Sequence, residues 1–445
     1  MQVSEEIMRF MEREDQRRTA PRNGEKRRAN ERAKKEPVKT GIIGAGFSGM
    51  IAAIQIKRTL PENEVTLYES KSVPGKKILV TGNGRCNLTN EKVDFSFYKG
   101  DKDLFESVCK ENANREMLSF FSSLGVVCRT DFAGRYYPVS NQASSVLSAL
   151  KMELNRLGVK TVTDCKITQI QKKNRYVLNG VYECDYLVFA CGGCAASVHG
   201  SDGSGFELLK AAGVEITPLY PSLCALYIDN FTKALKGVRA QGRITLRAGS
   251  EIIASDAGEI QYTDYGLSGI PAFQVSASAV RAFAAGQTVT AAVDAATGFT
   301  KDELTEYIVA TAKKYPNEAA CKILSGIMPE KLGAYYLTLA SVNPEKKASC
   351  VSPGAAVKVA SLIKSKKYEI STTGSFKDAQ VTSGGIAAAE LYPGTLELNK
   401  LRRAYACGEI IDVDGLCGGY NLQWAFSSAT AVAASIVSEA LNAQN

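Results

Sequence analysis

After a long charged stretch, the hydropathy pattern opens with a short apolar run, Gly41-Ile42-Ile43. A glycine-rich turn follows, and then an apolar-periodic segment over residues 50–60. That order predicts strand, turn and helix. A second apolar run, residues 65–68, predicts another strand. Leu104, Phe105, Val108, Met117, Leu118, Phe121 and Leu124 share an apolar face, which predicts a helix over 102–124 closed by Gly125. Past a turn at 134–138, Ser140 or Asn141 caps a further helix that runs through Leu157 to Gly158. Three short alternating runs between 158 and 182 predict a small antiparallel meander. Residues 186–190 are apolar throughout, as in a strand buried on both faces of a parallel sheet.

The second half changes period. A helix over 206–212 gives way to short apolar–polar alternations across 214–297, the mark of a β-rich domain. Helical spacing covers 300–340 through Leu304, Ile308, Ala312, Ile323, Ile327, Leu332 and Leu337. Strand and turn patterns return at 371–373 and 381–386. A last short strand ends at Gly408-Glu409, and Gly418-Gly419 opens a long Ala-rich helix. Residues 1–37 stand apart as a mixed-charge tail, partly helical or disordered, which is expected to be dispensable for cofactor binding.

The chain of 445 residues has room for two or three domains. Its net charge of +8 is spread along the sequence, which reads as a solvated surface and leaves a nucleic-acid face as the lesser reading. Twelve cysteines at irregular spacing, with no secretory signal before them, fit a reduced cytoplasmic protein rather than a disulfide scaffold. The weakly apolar stretch 429–436 is too short and too polar to cross a membrane.

Chemistry enters at Gly44-Ala45-Gly46-Phe47-Ser48-Gly49. The three glycines suit a tight strand-to-helix turn, close approach of backbone to a pyrophosphate, and close packing of helix on strand. Glu69, about twenty residues past Gly49, stands where a carboxylate accepts from ribose hydroxyls. The segment 75–90, rich in Gly and Asn and carrying Lys76, Lys77 and Arg85, reads as a loop around the cofactor, with Arg85 or Lys77 near phosphate or ribose. Cys191-x-x-Cys194 could be a redox dithiol, half a metal site or two small residues in a turn. His199 is the only histidine and no second CxxC exists, so no metal site is expected. The segment 200–205 precedes a helix and could meet phosphate or substrate.

GAGFSG with Glu69, GKKILVTGNGRCNLTN, FACGG, YTDYGLSGIP and ACGEIIDVDGLCGGYNLQWAFSSA together resemble a family of bacterial FAD-dependent oxidoreductases, aminoacetone-oxidase-like or BaiN-like. The resemblance covers residues 38 to about 440. It implies an α/β fold in which a Rossmann-like FAD-binding domain is made of two chain parts, 38–203 and 372–445. Between them it implies an inserted β-barrel-like domain (204–297 and 351–371) and a small helical domain (298–350). Carried over by motif, Gly44, Gly46, Ser48 and Gly49 hold the pyrophosphate and Glu69 the adenosine ribose, with Ala45 and Ser70 also at the cofactor. Lys76, Lys77, Gly82, Arg85, Cys86, Asn87, Ala190 and Gly192 line the same cofactor. Gly408 and Glu409 meet the ribityl-pyrophosphate, and Gly419, Tyr420, Asn421 and Leu422 the isoalloxazine edge.

Three departures from the family pattern are Cys191 in the strand end, Asp264 where the family has histidine, and Ala429 after the serine pair. The implied activity is reduction of a C=C bond in a small enone- or steroid-like molecule, with electrons from NAD(P)H and FAD as cofactor. A nearby acid must supply a proton; Asp264, Tyr420 and Arg135 are the candidates. A flavin oxidase, a dithiol-type reductase using Cys191 and Cys194, and an FAD-containing RNA-modifying or interaction protein remain as alternatives.

Overall fold

The computed structural model describes residues 37–443, so most of the charged tail lies outside the described residues. The chain divides into two compact units. One takes residues up to 193, 198–218 and 384 onward; the other takes 194–197 and 219–383.

The first unit is built on a five-stranded parallel sheet. Its strands are β1 (Lys39–Ile43), β2 (Glu64–Tyr68), β3 (Lys160–Val162), β4 (Tyr186–Phe189) and β5 (Ala404–Ala406). They lie in the order β5-β4-β1-β2-β3. The apolar run of β4 is buried at every residue because it is flanked on both edges and covered on both faces. Helix α1 (Phe47–Thr59) leaves the end of β1, and α2 (Tyr420–Asn442) packs against it. Ala429, Val432, Ala433 and Ile436 of α2 are buried, and Gln55 of α1 donates to Thr430 Oγ1 at 2.7 Å. Among the described residues α2 alone is long and apolar enough to cross a membrane, but 56% of its apolar window is buried inside the protein.

The helix expected over 102–124 is two helices, Lys102–Val108 and Ala113–Ser123. Asn112 between them adopts a left-handed φ of 65°, which a continuous helix cannot contain. The next helix spans Ala143–Arg156 and starts after Gln142, not at Ser140 or Asn141. The expected meander also splits. Its first run is β3 of the parallel sheet; the antiparallel sheet is formed by Ile170–Lys172, Tyr176–Leu178 and Tyr182–Cys184.

The second unit is organised around a seven-stranded antiparallel sheet. Its longest hairpin pairs Arg239–Ala248 with Glu251–Tyr262. The two outermost strands, Lys366–Ile370 and Thr372–Thr373, are separated only by Ser371, which brings the sheet round on itself like a barrel. Two helices, Ile270–Ala284 and Pro353–Lys364, lie within the stretches expected to be β-rich. Both carry proline in the first turn, where its missing N–H is harmless and its fixed φ favours helix. The helical stretch expected over 300–340 is helix Lys301–Lys314, a short 3₁₀ turn Ala320–Leu324 and helix Glu330–Leu339, the first opened by a capping box between Thr300 and Glu303. Ile244, Leu246, Ile260, Val275, Leu304, Ile308, Leu332, Tyr336 and Val359 belong to one hydrophobic cluster, so sheet and helices share a core.

Candidate functional site: a dinucleotide cradle

The turn after β1 leaves no room for a side chain at its first glycine. Gly44 has φ 104°, and a Cβ there would lie 2.4 Å from the carbonyl oxygen of Ala190, the residue that follows β4. Gly46 shows the opposite: a Cβ would meet nothing within 4 Å. It stands at the N-cap of α1, which has no side-chain cap and no acidic residue in its first turn. Uncapped N–H groups facing open space form an anion site with the helix dipole behind it. Ser48 and Gly49 sit in that first turn, both buried.

Glu69 directly follows β2. Its Oε2 accepts from the Ala45 N–H at 3.2 Å and its Oε1 from the Lys71 N–H at 2.9 Å, with the Ser70 hydroxyl at 3.4 Å. The carboxylate is thereby fixed at the mouth of the glycine turn. Gly192 approaches the buried Ser201 on the other side of Ala190.

The stretch 76–84 is a pair of short 3₁₀ turns broken at Thr81–Asn83, rather than the open loop expected. Lys76 is half-buried, and Lys77 Nζ lies 2.6 Å from Glu409 Oε2. Gly82, Asn83 and Cys86 all take positive φ. Cys86 is buried, which pushes its thiol up to about 12. Arg85 is exposed; its Nε donates to Gly82 O and its guanidinium covers the Tyr137 ring. The Asn87 side-chain oxygen accepts from the Gly419 N–H at 3.0 Å, and its amide donates to the carbonyls of Thr89 and Tyr136.

That bond joins the segment to the start of α2. Gly419, the N-cap of α2, has φ 97° and lies against Thr89; a Cβ would come within 2.6 Å of the Thr89 carbonyl. The Gly408 N–H donates to Ser428 Oγ at 2.9 Å, and the Trp424 indole N–H donates to Gly408 O at 3.2 Å. The Asn421 side chain is spent on Gly415, accepting from its N–H and donating to its carbonyl. Leu422 is half-buried. The Tyr420 ring stacks on Phe97 with centroids 4.7 Å apart, and Tyr98 OH donates to the Tyr420 carbonyl. Burial pushes the Tyr420 phenol up to about 12, so it keeps its proton at neutral pH.

The other two acid candidates fare differently. Asp264 belongs to the second unit and is exposed; the Lys236 ammonium at 2.6 Å holds its carboxyl below the usual range, so it is ionised. Arg135 is engaged with Asp131 at 2.8 Å. Cys191 is half-buried at the end of β4, where desolvation pushes its thiol up to about 12, far from the thiolate a redox dithiol uses. The boundary between the units falls between Cys191 and Cys194. Asp202 accepts from the Ser204 N–H at 3.0 Å and pairs with Lys166 at 2.7 Å, which fixes the turn before the helix Ser204–Ala211.

Thr89, Gln423 and Ser428 are site-building residues without a role assigned from sequence. Each lies inside or beside a recognised motif, and that position was the available signal. Their partners lie far away in the chain and could not be read from it.

The residues present fit a flavin dinucleotide. An open, uncapped helix start lies beside a fixed carboxylate, and Gly408 lies against Ser48 of that helix's first turn. Fold and site define an FAD-binding oxidoreductase of Rossmann type. Residues 38–435 match the family model described as "HI0933-like protein Rossmann domain", and the chain belongs to that family. It is 38% identical over 395 residues to the 3-dehydro-bile acid delta(4,6)-reductase of Clostridium scindens, covering 87% of this chain and 96% of the relative. It is 26% identical to the ribosomal RNA dihydrouridine synthase of Haemophilus influenzae, covering 89% of this chain and 97% of the relative. Among solved structures, 3-ketosteroid delta1-dehydrogenase from Sterolibacterium denitrificans aligns over 91% of this chain and 100% of its own, at 10% identity and a TM-score of 0.47.

Proposed function

We propose that this enzyme reduces a C=C bond conjugated to a carbonyl in a small, steroid-like substrate, using NAD(P)H as electron donor. The observation that carries the reading is the 38% identity to a bile-acid reductase across 96% of that relative's length. Bound FAD supplies the hydride chemistry. The chain's own residues do the rest. Glu69 and the α1 N-terminus would hold the adenosine and pyrophosphate end, and the α2 N-terminus at Gly419 would stabilise the negative charge gained on reduction. Tyr420 is the acid we assign to the carbon that receives a proton, because it alone of the three candidates carries a hydroxyl that keeps its proton at neutral pH, on a residue beside that turn. Twelve cysteines at irregular spacing suit a cytoplasmic location.

A second reading has one specific support: two relatives at 26% and 25% identity are ribosomal RNA dihydrouridine synthases, whose name also denotes saturation of a conjugated C=C. The test is anaerobic reduction of the yellow protein by NADH or NADPH, followed by mixing with a steroid enone panel, unmodified ribosomal RNA or oxygen. Rapid reoxidation by an enone supports the first reading. Reoxidation by RNA alone transfers it to the second, and reoxidation by oxygen alone makes the protein an oxidase. Colourless protein that takes up no FAD overturns all of them.

A further inference from the structure

Lys77 and Glu409 lie 332 positions apart in sequence and meet at 2.6 Å. The motif reading treats them as two separate cofactor ligands. Their geometry says they are partners of each other first. We propose that this ion pair is a strap across the cofactor site, which joins the 76–84 segment to the Gly408-Glu409 turn and sets the rate at which FAD leaves.

Both feet of the strap are anchored. On one side, Gly75 packs its backbone against Leu147 of the helix Ala143–Arg156, and a Cβ there would lie 2.4 Å from the leucine methyl. The Thr81 hydroxyl donates to Ile78 O at 2.7 Å and closes the first turn. On the other side, Gly408 is held at its N–H by Ser428 and at its carbonyl by the Trp424 indole. The backbone at each end is therefore fixed, and the two side chains are the parts that can swing.

Charge argues the same way. An ammonium committed to a carboxylate brings little net positive charge to a pyrophosphate, and the open α1 N-terminus already supplies that field. The side chains are 23% and 20% exposed. Water reaches them enough for the pair to part, while partial burial makes it stronger than a fully solvated pair. Lys77 and Glu409 are thus positioning residues that act on cofactor retention through each other.

The experiment measures FAD release from the purified holoprotein by recovery of flavin fluorescence on dilution. It compares wild type, Lys77→Met, Glu409→Gln and the exchange Lys77→Glu/Glu409→Lys. Each single change should speed release about tenfold. The exchange should bring release back to within about threefold of wild type, because an ion pair works in either orientation. Raising salt should speed release in wild type more than in Glu409→Gln, since screening opens an existing strap. Circular dichroism of each apoprotein confirms the fold, and the wild-type salt arm needs no substitution. The proposal fails if the single variants release FAD at the wild-type rate. It also fails if the exchange is at least as fast as the faster single, as expected of two independent FAD ligands, or if wild type and Glu409→Gln share one salt dependence.

Discussion

The hydroxyl of Thr89 donates to the side-chain oxygen of Gln423 at 2.6 Å, across 334 positions of sequence. Gln423 is fully buried on the first turn of α2, and its amide donates onward to the Ala113 carbonyl and the Ser427 hydroxyl. Every polar atom of that side chain is engaged, and the network locks the start of α2 to the segment carrying Asn87. Thr89→Val removes the donor and keeps the shape. It should lower stability by about 1–3 kcal/mol, the range for stranding a buried acceptor, and reduce FAD occupancy as purified. Urea unfolding and the flavin-to-protein absorbance ratio check the two effects.

The two glycines at the ends of the first turn should respond oppositely to alanine. Gly44→Ala drives a Cβ to 2.4 Å from Ala190 O at a φ of 104°, so the apoprotein itself should lose about 2–4 kcal/mol. Gly46→Ala places its methyl in open space and should leave apoprotein stability within about 0.5 kcal/mol of wild type. Its FAD affinity should nevertheless fall at least about tenfold if, as proposed, that space receives the pyrophosphate. Thermal unfolding of both apoproteins and FAD titration separate the outcomes.

Tyr420→Phe should split the two half-reactions. Reduction by NAD(P)H should proceed as in wild type, while reoxidation by an enone slows about 10²–10⁴-fold, the usual worth of a positioned acid. Stopped-flow absorbance follows each step, and equal rates for reoxidation would remove Tyr420 from that role.

Stability toward acid should depend on Glu153. Hydrogen bonds from Arg156, and then from Arg58, hold this carboxyl at about 2 against an ordinary 4.5. A lowered folded-state value means the contribution is complete above about 4.5 and is lost as pH falls toward 2. Glu153→Gln should therefore lower the urea midpoint at pH 7 and flatten its decline between pH 5 and 3, windows set by the same linkage at roughly those values.

Cys191→Ser and Cys194→Ser should retain wild-type turnover. Burial keeps the Cys191 thiol protonated at working pH, and its Sγ instead donates to Ile43 O at 3.4 Å. A loss of NAD(P)H-linked activity in either variant would restore the dithiol reading.

The cofactor half of the fold was legible because its signals are local. GAGFSG runs from the end of a strand into a helix, Glu69 directly follows the next strand, and the unbroken apolar run of β4 marks a central strand. The helix Ile270–Ala284 was not legible. Its buried face is Ala272, Val275, Ala279 and Ala282, and small residues carry a weak apolar period; Pro271 was the start signal that outweighed it. Pro353 played the same part for the helix inside 351–371. The motifs picked out which residues to examine at the glycine turn and the α2 start, but not the bonds that join them. Nothing in composition or spacing couples Lys77 to Glu409, Asn87 to Gly419 or Thr89 to Gln423, because each pair is brought together only when the chain closes.

The strand order carries a consequence for how the protein is made. One edge of β4 is covered by β5, and Leu187 N–H bonds to Arg403 O, so a central strand waits for a partner more than two hundred residues behind it. On the ribosome that interval lasts roughly ten to forty seconds at ordinary elongation rates. Throughout it, a flat apolar edge stands open to pairing with a neighbouring nascent chain. The 219–383 segment, with its own core, can fold meanwhile. Fragments that stop short of residue 404 should accumulate as aggregates, and chaperone demand should peak before the last forty residues emerge rather than after.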